Sequence, residues 1–326
     1  MSNYKDIHGT QIEVRSDNPS NPVNGQVWYN TTDSKLRGLA ISPVGSWATG
    51  GNLNTARQGL AGAGTKAAGL AFGGVGGGPT NQAQDATEKY NGTAWTEVNN
   101  LNTARGFTGG TGTQTSALAW GGNVSPNVEN ESFNGTSWTE VADLNTPRAA
   151  MGSAGANNTS ALAFGGSPVT ANTEAWNGTS WSEVANLNTA RNSLAGAGLK
   201  GAALAIAGET PGGNTVNVEQ WNETSWTEIA NVNTVRNALA GTGIVTSALV
   251  FGGDVGPPGT TADTELWNGT AWSEQNNMSA GRRAIAGSTG PDNTAGLAFG
   301  GETPGLSVVT DEWSNPVLTI QEFDLS

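Results

Sequence analysis

The sequence predicts an all-β protein built from repeated four-stranded units, and three observations support this class. Of its 326 residues, 48 are Gly and 13 are Pro, while only 13% are charged and 7% aromatic, which is typical of short strands and tight turns. The phrase Leu-Asn-Thr-Ala-Arg, or a close variant, recurs every 43 to 48 residues. An aromatic-Asn-Gly-Thr-Ser-Trp motif recurs with it, which indicates a hairpin in each repeat.

Composition also excludes several classes of function. The net charge is −13, from 27 acidic and 14 basic residues without a basic run, so we expect no nucleic-acid partner. The chain has no Cys and one His, His8, which excludes disulfides, Cys-ligated metals and most imidazole chemistry. No stretch approaches about 18 apolar residues, and the N-terminus lacks an apolar signal core. We therefore expect a soluble protein with no signal peptide, transmembrane segment or membrane insertion.

Six arginines mark the repeats. Each closes the Leu-Asn-Thr-Ala-Arg phrase or its variant, the last in the form Met-Ser-Ala-Gly-Arg. They are Arg57, Arg105, Arg148, Arg191, Arg236 and Arg282. The spacing predicts six repeats, which begin near residues 58, 106, 149, 192, 237 and 283.

Each of the first five repeats contains the signals for four strands. A run of small residues such as 193–198 is followed by an apolar run that ends in aromatic-Gly-Gly, as in 163–166, and these are the first two strands. After a variable loop, residues 174–184 form two strands joined by an Asn-Gly turn.

The hairpin fixes which aromatic residues share a face. Whether the hairpin loop has two or four residues, the numbers of two residues paired across it add up to an odd value. Trp176 and Trp181 meet this condition, so their side chains lie on the same face of the sheet. Large aromatics therefore separate stacked sheets, while Gly and Ala crowd the inner strand, which gives each sheet the form of a wedge. The tryptophans assigned this structural role are Trp47, Trp95, Trp138, Trp176, Trp181, Trp221, Trp226, Trp267, Trp272 and Trp313.

Six wedge-shaped sheets favour a six-bladed β-propeller over a solenoid or a linear array. The last repeat reads Ser314-Asn315-Pro316 in place of Asn-Gly-Thr, so it lacks a fourth strand. Trp47 precedes Leu53 by the same interval that separates Trp181 from Leu187. We therefore predict that strand 45–52 completes the sixth blade and closes the ring, with residues 317–323 as the alternative. The propeller then spans residues 45–326, and residues 1–44 form a short N-terminal arm.

The motifs between residues 45 and 313 resemble the kelch repeat. Aromatic-Gly-Gly, an acidic-aromatic strand and a Trp before the Thr-Ala-Arg loop carry the resemblance. The chain departs from kelch in its shorter hairpin, in lacking a His after the Arg, and in Ala207-Gly208, which replaces Gly-Gly in the fourth repeat. The resemblance implies a kelch-like propeller fold and says nothing about activity.

The N-terminal arm is similar to a different group of proteins. Residues 24–37, Asn-Gly-Gln-Val-Trp-Tyr-Asn-Thr-Thr-Asp-Ser-Lys-Leu-Arg, resemble a hairpin module of bacteriophage tail and fibre proteins, particularly those of marine phages. The resemblance implies a virion location. The arm is too poor in apolar residues for a core of its own, so we expect it to attach the protein to other virion proteins.

One face of the predicted propeller carries both the arginine phrases and the variable loops, and loops on a rigid scaffold commonly bind partners. The predicted binding residues on this face are the six repeat arginines together with Asn81, Asn127, Thr170, Asn214, Asp254 and Glu302. An anion-binding arginine ring is one interpretation. Recurrent acids such as Glu174 and Glu183 favour the other, in which Arg–Glu pairs serve the fold.

The sequence predicts no catalytic residue, metal or cofactor. No carboxylate pair stands out from the repeat background as a glycosidase would require, and the acids lack the dense spacing of a calcium loop. The recurrent Asn-x-Thr triplets are explained by turn chemistry. The prediction is a non-enzymatic virion structural protein of the tail, fibre, neck or capsid surface. The alternatives are an adhesin that contacts host polysaccharide or protein and, less favoured, a glycan-processing enzyme.

Overall fold

The computed structural model describes residues 12–20, 26–41, 44–76, 82–257, 259–290, 294–315 and 318–323. Regular secondary structure in these ranges is all β-strand, without a helix, so no helix there could cross a membrane. The chain forms two compact units. Residues 46–314 form the larger unit, and residues 1–45 with 315–326 form the smaller.

The larger unit contains six four-stranded antiparallel sheets, numbered 1 to 6 along the chain, and in sheets 1 to 5 the strands lie in chain order. Sheet 1 comprises Ala61–Thr65, Ala68–Phe72, Thr87–Tyr90 and Trp95–Val98. Sheet 2 comprises Gly109–Thr113, Ser116–Trp120, Asn130–Phe133 and Trp138–Val141. Sheet 3 comprises Gly152–Asn157, Ser160–Phe164, Thr173–Trp176 and Trp181–Val184. Sheet 4 comprises Ala195–Leu199, Ala202–Ile206, Val218–Trp221 and Trp226–Ile229. Sheet 5 comprises Ala240–Ile244, Ser247–Phe251, Thr264–Trp267 and Trp272–Glu274.

Sheet 6 takes its fourth strand from the N-terminal side of the repeats. It comprises Ala286–Gly287, Ala295–Phe299, Thr310–Ser314 and Ser46–Thr49. The last two strands are antiparallel, with Trp47 opposite Trp313. This is the position that the sequence left open, because Ser314-Asn315-Pro316 replaces the Asn-Gly-Thr of the other repeats.

Short strands supplement the six sheets. Arg57–Gln58, Val75–Gly76 and Gln82–Ala83 form a three-stranded sheet, and two small hairpins occur within variable loops. The hairpins are Glu209–Thr210 with Gly213–Asn214 and Glu302–Thr303 with Gly305–Leu306.

The smaller unit is a single four-stranded sheet drawn from both ends of the chain. Glu13–Arg15 runs parallel to Val27–Asn30, which is antiparallel to Lys35–Ile41. Leu318–Phe323 pairs with Lys35–Ile41 on its other edge. The sequence assigned this C-terminal segment to the propeller domain or to its closure, but in the structure it belongs with the arm. Trp28 is fully buried in this unit.

The hairpin register predicted from the aromatic pairs is confirmed. Trp176 lies directly opposite Trp181, and the equivalent pairs of sheets 1, 2, 4 and 5 have the same register. Their ring centroids lie 4.9 to 5.5 Å apart. These cross-strand contacts hold the outer hairpin of each sheet in place.

The fourth-strand tryptophan also packs against the preceding sheet. Trp138 lies 5.0 Å from Phe72 of sheet 1, and Trp226 lies 5.0 Å from Phe164 of sheet 3. Trp95 of sheet 1 makes the same 5.0 Å contact with Phe299 of sheet 6. The first and sixth sheets are therefore joined by the contact that joins consecutive sheets.

The inner strands explain why the first run of each repeat is so rich in glycine. First strands of consecutive sheets lie side by side, and Ala286–Gly287 lies beside both its neighbour in sheet 5 and Ala61–Thr65 in sheet 1. A Cβ atom added at Gly62 would lie 2.2 Å from the Gly287 carbonyl oxygen. A side chain at this position would therefore force the two strands apart.

A hydrogen bond from the fourth-strand indole accompanies the aromatic packing at most junctions. Trp95, Trp138 and Trp226 donate Nε1–H to a buried threonine hydroxyl of the preceding sheet at 3.0 to 3.2 Å. In sheet 2 this threonine is replaced by Asn130. There Trp181 Nε1 and Asn130 Oδ1 are both buried without a hydrogen-bond partner among the described residues.

We expect the substitution Asn130→Thr to stabilise the protein. It removes an unsatisfied acceptor and supplies the hydroxyl that the indoles of Trp95, Trp138 and Trp226 use. The lost Asn130 bond to the Ala142 carbonyl can be replaced by water, because Ala142 is exposed. The free energy of unfolding should rise by about 1 kcal/mol in chemical denaturation. The matched control, Thr173→Asn, should lower it by a similar amount, because Trp226 loses its acceptor. An unchanged or lower stability of Asn130→Thr would contradict this view of the junction.

Candidate functional site

The six repeat arginines are buried and paired with carboxylates. Each is no more than 1% exposed and forms an ion pair with an acid on the third strand of its own sheet. The pairs are Arg57–Glu88, Arg105–Glu131, Arg148–Glu174, Arg191–Glu219, Arg236–Glu265 and Arg282–Asp311. A ligand at the surface cannot reach these guanidinium groups, so the binding role predicted for them does not fit their position. Their pairing matches the second interpretation of the sequence.

The carboxylate is enclosed by the phrase that carries the arginine. Glu174 Oε1 accepts hydrogen bonds from Arg148 Nη2 at 2.9 Å and from the Thr146 amide at 3.2 Å. Its Oε2 accepts from the amide and the side-chain Nδ2 of Asn145, at 2.8 and 2.9 Å. The Asn and Thr of the repeated phrase therefore complete the site. Sequence reasoning missed this role, although the recurrence of Asn-Thr shortly before five of the six arginines was the signal for it.

The backbone of each arginine binds the preceding sheet. Arg148 donates its amide to the Asn127 carbonyl at 3.1 Å, and its carbonyl accepts from the Gly122 amide at 3.1 Å. Its side chain meanwhile donates to the Asn172 and Gly165 carbonyls of sheet 3, at 2.6 and 3.2 Å. The Gly301 amide of sheet 6 donates in the same way to the Arg57 carbonyl of sheet 1, at 2.9 Å. Each arginine thus connects two sheets.

Burial dominates the electrostatics of these pairs. Desolvation lowers the pKa of five of the guanidinium groups, and the neighbouring carboxylates act in the opposite direction. The five are Arg57, Arg148, Arg191, Arg236 and Arg282. Burial likewise raises the pKa of the Glu265 carboxyl, and Arg236 opposes that change. Each charge is therefore tolerated in the interior because its partner is present.

The sixth repeat departs from this arrangement at two coupled positions. Ser279 replaces the Asn that binds the carboxylate, and Asp311 replaces the Glu. Asp311 Oδ2 pairs with Arg282, whereas its Oδ1 is buried without a partner among the described residues. The shorter side chain in the loop, Ser279, thus occurs together with the shorter acid, Asp311. The ion pair is kept in this repeat, but its carboxylate accepts fewer hydrogen bonds.

The predicted variable-loop residues lie at the surface, where Asn214, Asp254 and Glu302 are linked by contacts between neighbouring loops. Asn127, Thr170, Asn214, Asp254 and Glu302 are all partly exposed, and Asn81 lies outside the described residues. Arg283 pairs with both Asp254, at 2.7 Å, and Glu302, at 3.1 Å. Asn214 Nδ2 donates to the Asp254 carbonyl at 3.0 Å. Contacts between neighbouring loops therefore account for part of this polar set.

A second circle of repeat positions, two residues after each arginine, forms a cycle of backbone hydrogen bonds. Its members, called here the left-handed ring, all have φ between 47° and 57°. They are Gly59, Phe107, Ala150, Ser193, Ala238 and Ala284. Each amide donates to the carbonyl of the equivalent residue in the preceding sheet at 2.6 to 2.8 Å, and Gly59 donates to Ala284. Sequence reasoning missed this ring entirely.

The left-handed ring borders a cavity of about 100 Å³, called here the vestibule. The residues that follow the ring positions complete its lining. They are Leu60, Thr108, Met151, Leu194, Leu239 and Ile285. These six also line a second cavity of about 110 Å³ among the first strands. Thr289 of the sixth repeat also lines this second cavity, and it donates its hydroxyl to the Gly112 carbonyl of sheet 2 at 2.8 Å.

The vestibule offers packing contacts and few polar groups. The ring amides and carbonyls already bond to each other, and the Thr108 hydroxyl donates to the Trp120 carbonyl at 2.9 Å. Five of the six side chains behind the ring are Leu, Met or Ile. Among the described residues, no group of three or more His, Cys, Asp or Glu could hold a metal ion. The vestibule is thus suited to binding an apolar group.

Comparison with protein-family models and with curated protein sequences found no match to this chain.

We expect single substitutions in a buried pair to be strongly destabilising. Arg148→Met leaves Glu174 charged and buried without a cation, which should lower the free energy of unfolding by about 3–5 kcal/mol. In Arg148→Met/Glu174→Gln both charges are absent, so the double variant should be less destabilised than the sum of the two single variants. Chemical denaturation of the four proteins measures this coupling.

The control for this cycle is Arg283→Met. Arg283 forms its two ion pairs at the surface and is 46% exposed, so its loss should cost less than about 1 kcal/mol. Equal effects of Arg148→Met and Arg283→Met would show that the buried pair is not the stronger constraint.

Proposed function

We propose that the six sheets are the blades of a closed, six-bladed, kelch-like β-propeller, with Ser46–Thr49 as the last strand of the sixth blade. Three contacts between sheets 6 and 1 support closure. They are the Phe299–Trp95 ring contact, the Gly301 to Arg57 hydrogen bond and the Gly59 to Ala284 hydrogen bond. Each has the form found between consecutive sheets. A ring of this kind leaves no inner sheet edge open to unrelated strands.

We propose further that the protein is non-enzymatic and acts as a structural component of a bacteriophage particle. The burial of the six arginine–carboxylate pairs supports the non-enzymatic, structural part of this proposal, because the charged groups that recur in every repeat are used to hold sheets together. A catalytic repeat protein would instead present reactive groups in an accessible cavity. The vestibule, which the left-handed ring borders, is instead lined mainly by apolar residues.

The virion location is supported by the resemblance of residues 24–37 to a phage tail and fibre hairpin. In the smaller unit, this segment contributes to a sheet whose fourth strand comes from the C-terminus. Both chain ends thus build the proposed attachment module. Many copies on one particle would convert weak individual contacts into firm attachment.

The surface charge favours a protein partner. Besides the six buried arginines, residues 46–314 contain only Lys66, Lys89, Lys200 and Arg283 as cations. An acidic surface of this kind repels polyanions, including nucleic acids and anionic polysaccharides. A host-binding adhesin is the second candidate, favoured by the partly exposed variable loops. Those loops contain no Trp, Tyr or Phe, so they lack the aromatic faces on which sugars commonly stack.

Immunogold labelling of purified phage particles, with an antibody against residues 46–314, tests the proposal. Label at a fixed position on each particle is expected. Capsid or neck label would assign an architectural role, and label at the distal tail would favour the adhesin. Absence of label from intact and gently disrupted particles would overturn the virion proposal. Hydrolysis of a host polysaccharide that a single carboxylate substitution abolishes would overturn the non-enzymatic one.

A further inference from the structure

We propose that the vestibule binds one apolar side chain of a partner protein, presented on a segment that carries Lys or Arg beside it. This inference rests on the proposed function as a protein-binding scaffold and assigns the contact point. Four features of the vestibule lead to it: its backbone strain, its lining, its size and the charge of its rim.

Most residues of the left-handed ring have a strained backbone conformation. Five of its six members are not glycine, and Phe107, Ala150, Ser193, Ala238 and Ala284 have φ between 47° and 52°. This conformation is unfavourable for a residue other than glycine, because its Cβ atom lies too close to the following carbonyl oxygen. Such strain is characteristic of ligand clamps and other functional positions. Here it coincides with the lining of a cavity, which is an independent observation.

The size of the vestibule determines the class of ligand. The vestibule, at about 100 Å³, and the second cavity that shares six of its lining residues, at about 110 Å³, are each well below the roughly 300–1,000 Å³ of pockets for cofactors and drug-sized molecules. The vestibule suits a single aliphatic side chain. Because the ring backbone is already hydrogen-bonded, the gain comes from removing apolar surface from water. One apolar side chain cannot by itself distinguish one partner from another. The specificity must therefore come from a second contact, between the segment that carries this side chain and the rim of the vestibule.

The rim is acidic on one side. The residue before each ring position pairs through its backbone with the start of a variable loop. In sheets 4, 5 and 6 these pairs are Asn192 with Glu209, Asn237 with Asp254 and Arg283 with Glu302. The equivalent loop residues of the first three repeats are Val75, Asn123 and Ser167, which are uncharged.

The one cation of the rim is already paired. Arg283 bonds to Asp254 and Glu302, whereas the polar contact of Glu209 is the Asn237 side-chain amide at 3.3 Å. A partner cation is therefore favoured beside Glu209. The charge of the rim thus selects a Lys or Arg next to the apolar residue.

The left-handed ring itself provides a blocking variant. Phe107 shows that a bulky side chain is compatible with this backbone conformation, and its ring packs over Gly59. Ala238 has nearly the same φ, 50° against 52°. The substitution Ala238→Phe should therefore need no change of backbone conformation. Because Ser193, unlike Gly59, carries a Cβ atom, the new ring cannot pack flat over the preceding ring member and should extend into the vestibule. Ser182→Phe, on an exposed outer strand of sheet 3, is the matched control for added aromatic surface.

The experiment is an NMR titration of the full-length, isotope-labelled protein with three short peptides. The probes are acetyl-Gly-Lys-Leu-Lys-Gly-amide, its Glu-Leu-Glu counterpart and its Lys-Ser-Lys counterpart. We expect the Lys-Leu-Lys peptide to shift the amides of the left-handed ring. The other two peptides should bind at least tenfold more weakly. Ala238→Phe should abolish binding, while Ser182→Phe should keep it, with melting temperatures confirming that both variants are folded.

Several outcomes would overturn the inference. Equal binding of the Leu and Ser peptides would exclude apolar insertion, and equal binding of the Lys and Glu peptides would exclude selection by the rim. Unchanged binding by Ala238→Phe would place the contact elsewhere. If the protein is found on particles but binds no peptide, this inference fails and the virion proposal stands. If the protein binds the peptide but is absent from particles, the virion proposal fails and this inference stands.

Discussion

The buried arginine–carboxylate pair is the constraint on which the larger unit depends. Each arginine belongs to two sheets at once: its side chain bonds to its own sheet, and its backbone bonds to the preceding one. Desolvation makes such a pair a poor source of net stability, although removal of either member is costly. Its contribution is therefore to specify how consecutive sheets are aligned. An apolar core of Leu, Ala and aromatic residues could not fix that alignment alone, because apolar contacts are non-directional.

The aromatic-Gly-Gly motif follows from the same constraint. The second glycine must donate its amide to the arginine carbonyl of the next sheet, and the first must pass close to that carbonyl. A Cβ atom at Gly165 would lie 2.5 Å from the Arg191 carbonyl oxygen, and the φ of Gly165 is +64°. Ala207 takes this place in the fourth repeat with φ of +56° and remains fully buried. The motif can thus accept a methyl group only at the expense of backbone strain.

Local signals in the sequence predicted the repeat and much of each sheet. The period, the Asn-Gly hairpins and the odd-sum pairing of Trp176 with Trp181 depend on neighbouring residues, and short-range geometry determines them. Pairing of Leu318–Phe323 with the arm was not predictable in this way, because it joins distant segments without a repeat signature. The site was harder still. Ala150 and Phe107 carry no sign of a positive φ, and Leu194 or Leu239 cannot be distinguished from ordinary core residues until the cavity beside them is known.

Hydrogen exchange at the left-handed ring tests the proposed closure most directly. The Gly59 amide donates to the Ala284 carbonyl between sheets 1 and 6, whereas the amides of Ala150 and Ala238 make the same bond between sheets that are consecutive in the chain. Closure predicts that Gly59 exchanges as slowly as Ala150 and Ala238 in native conditions, after correction for intrinsic rates. Fast exchange at Gly59, with the other two protected, would show that the first and sixth sheets separate readily and would contradict the closed ring.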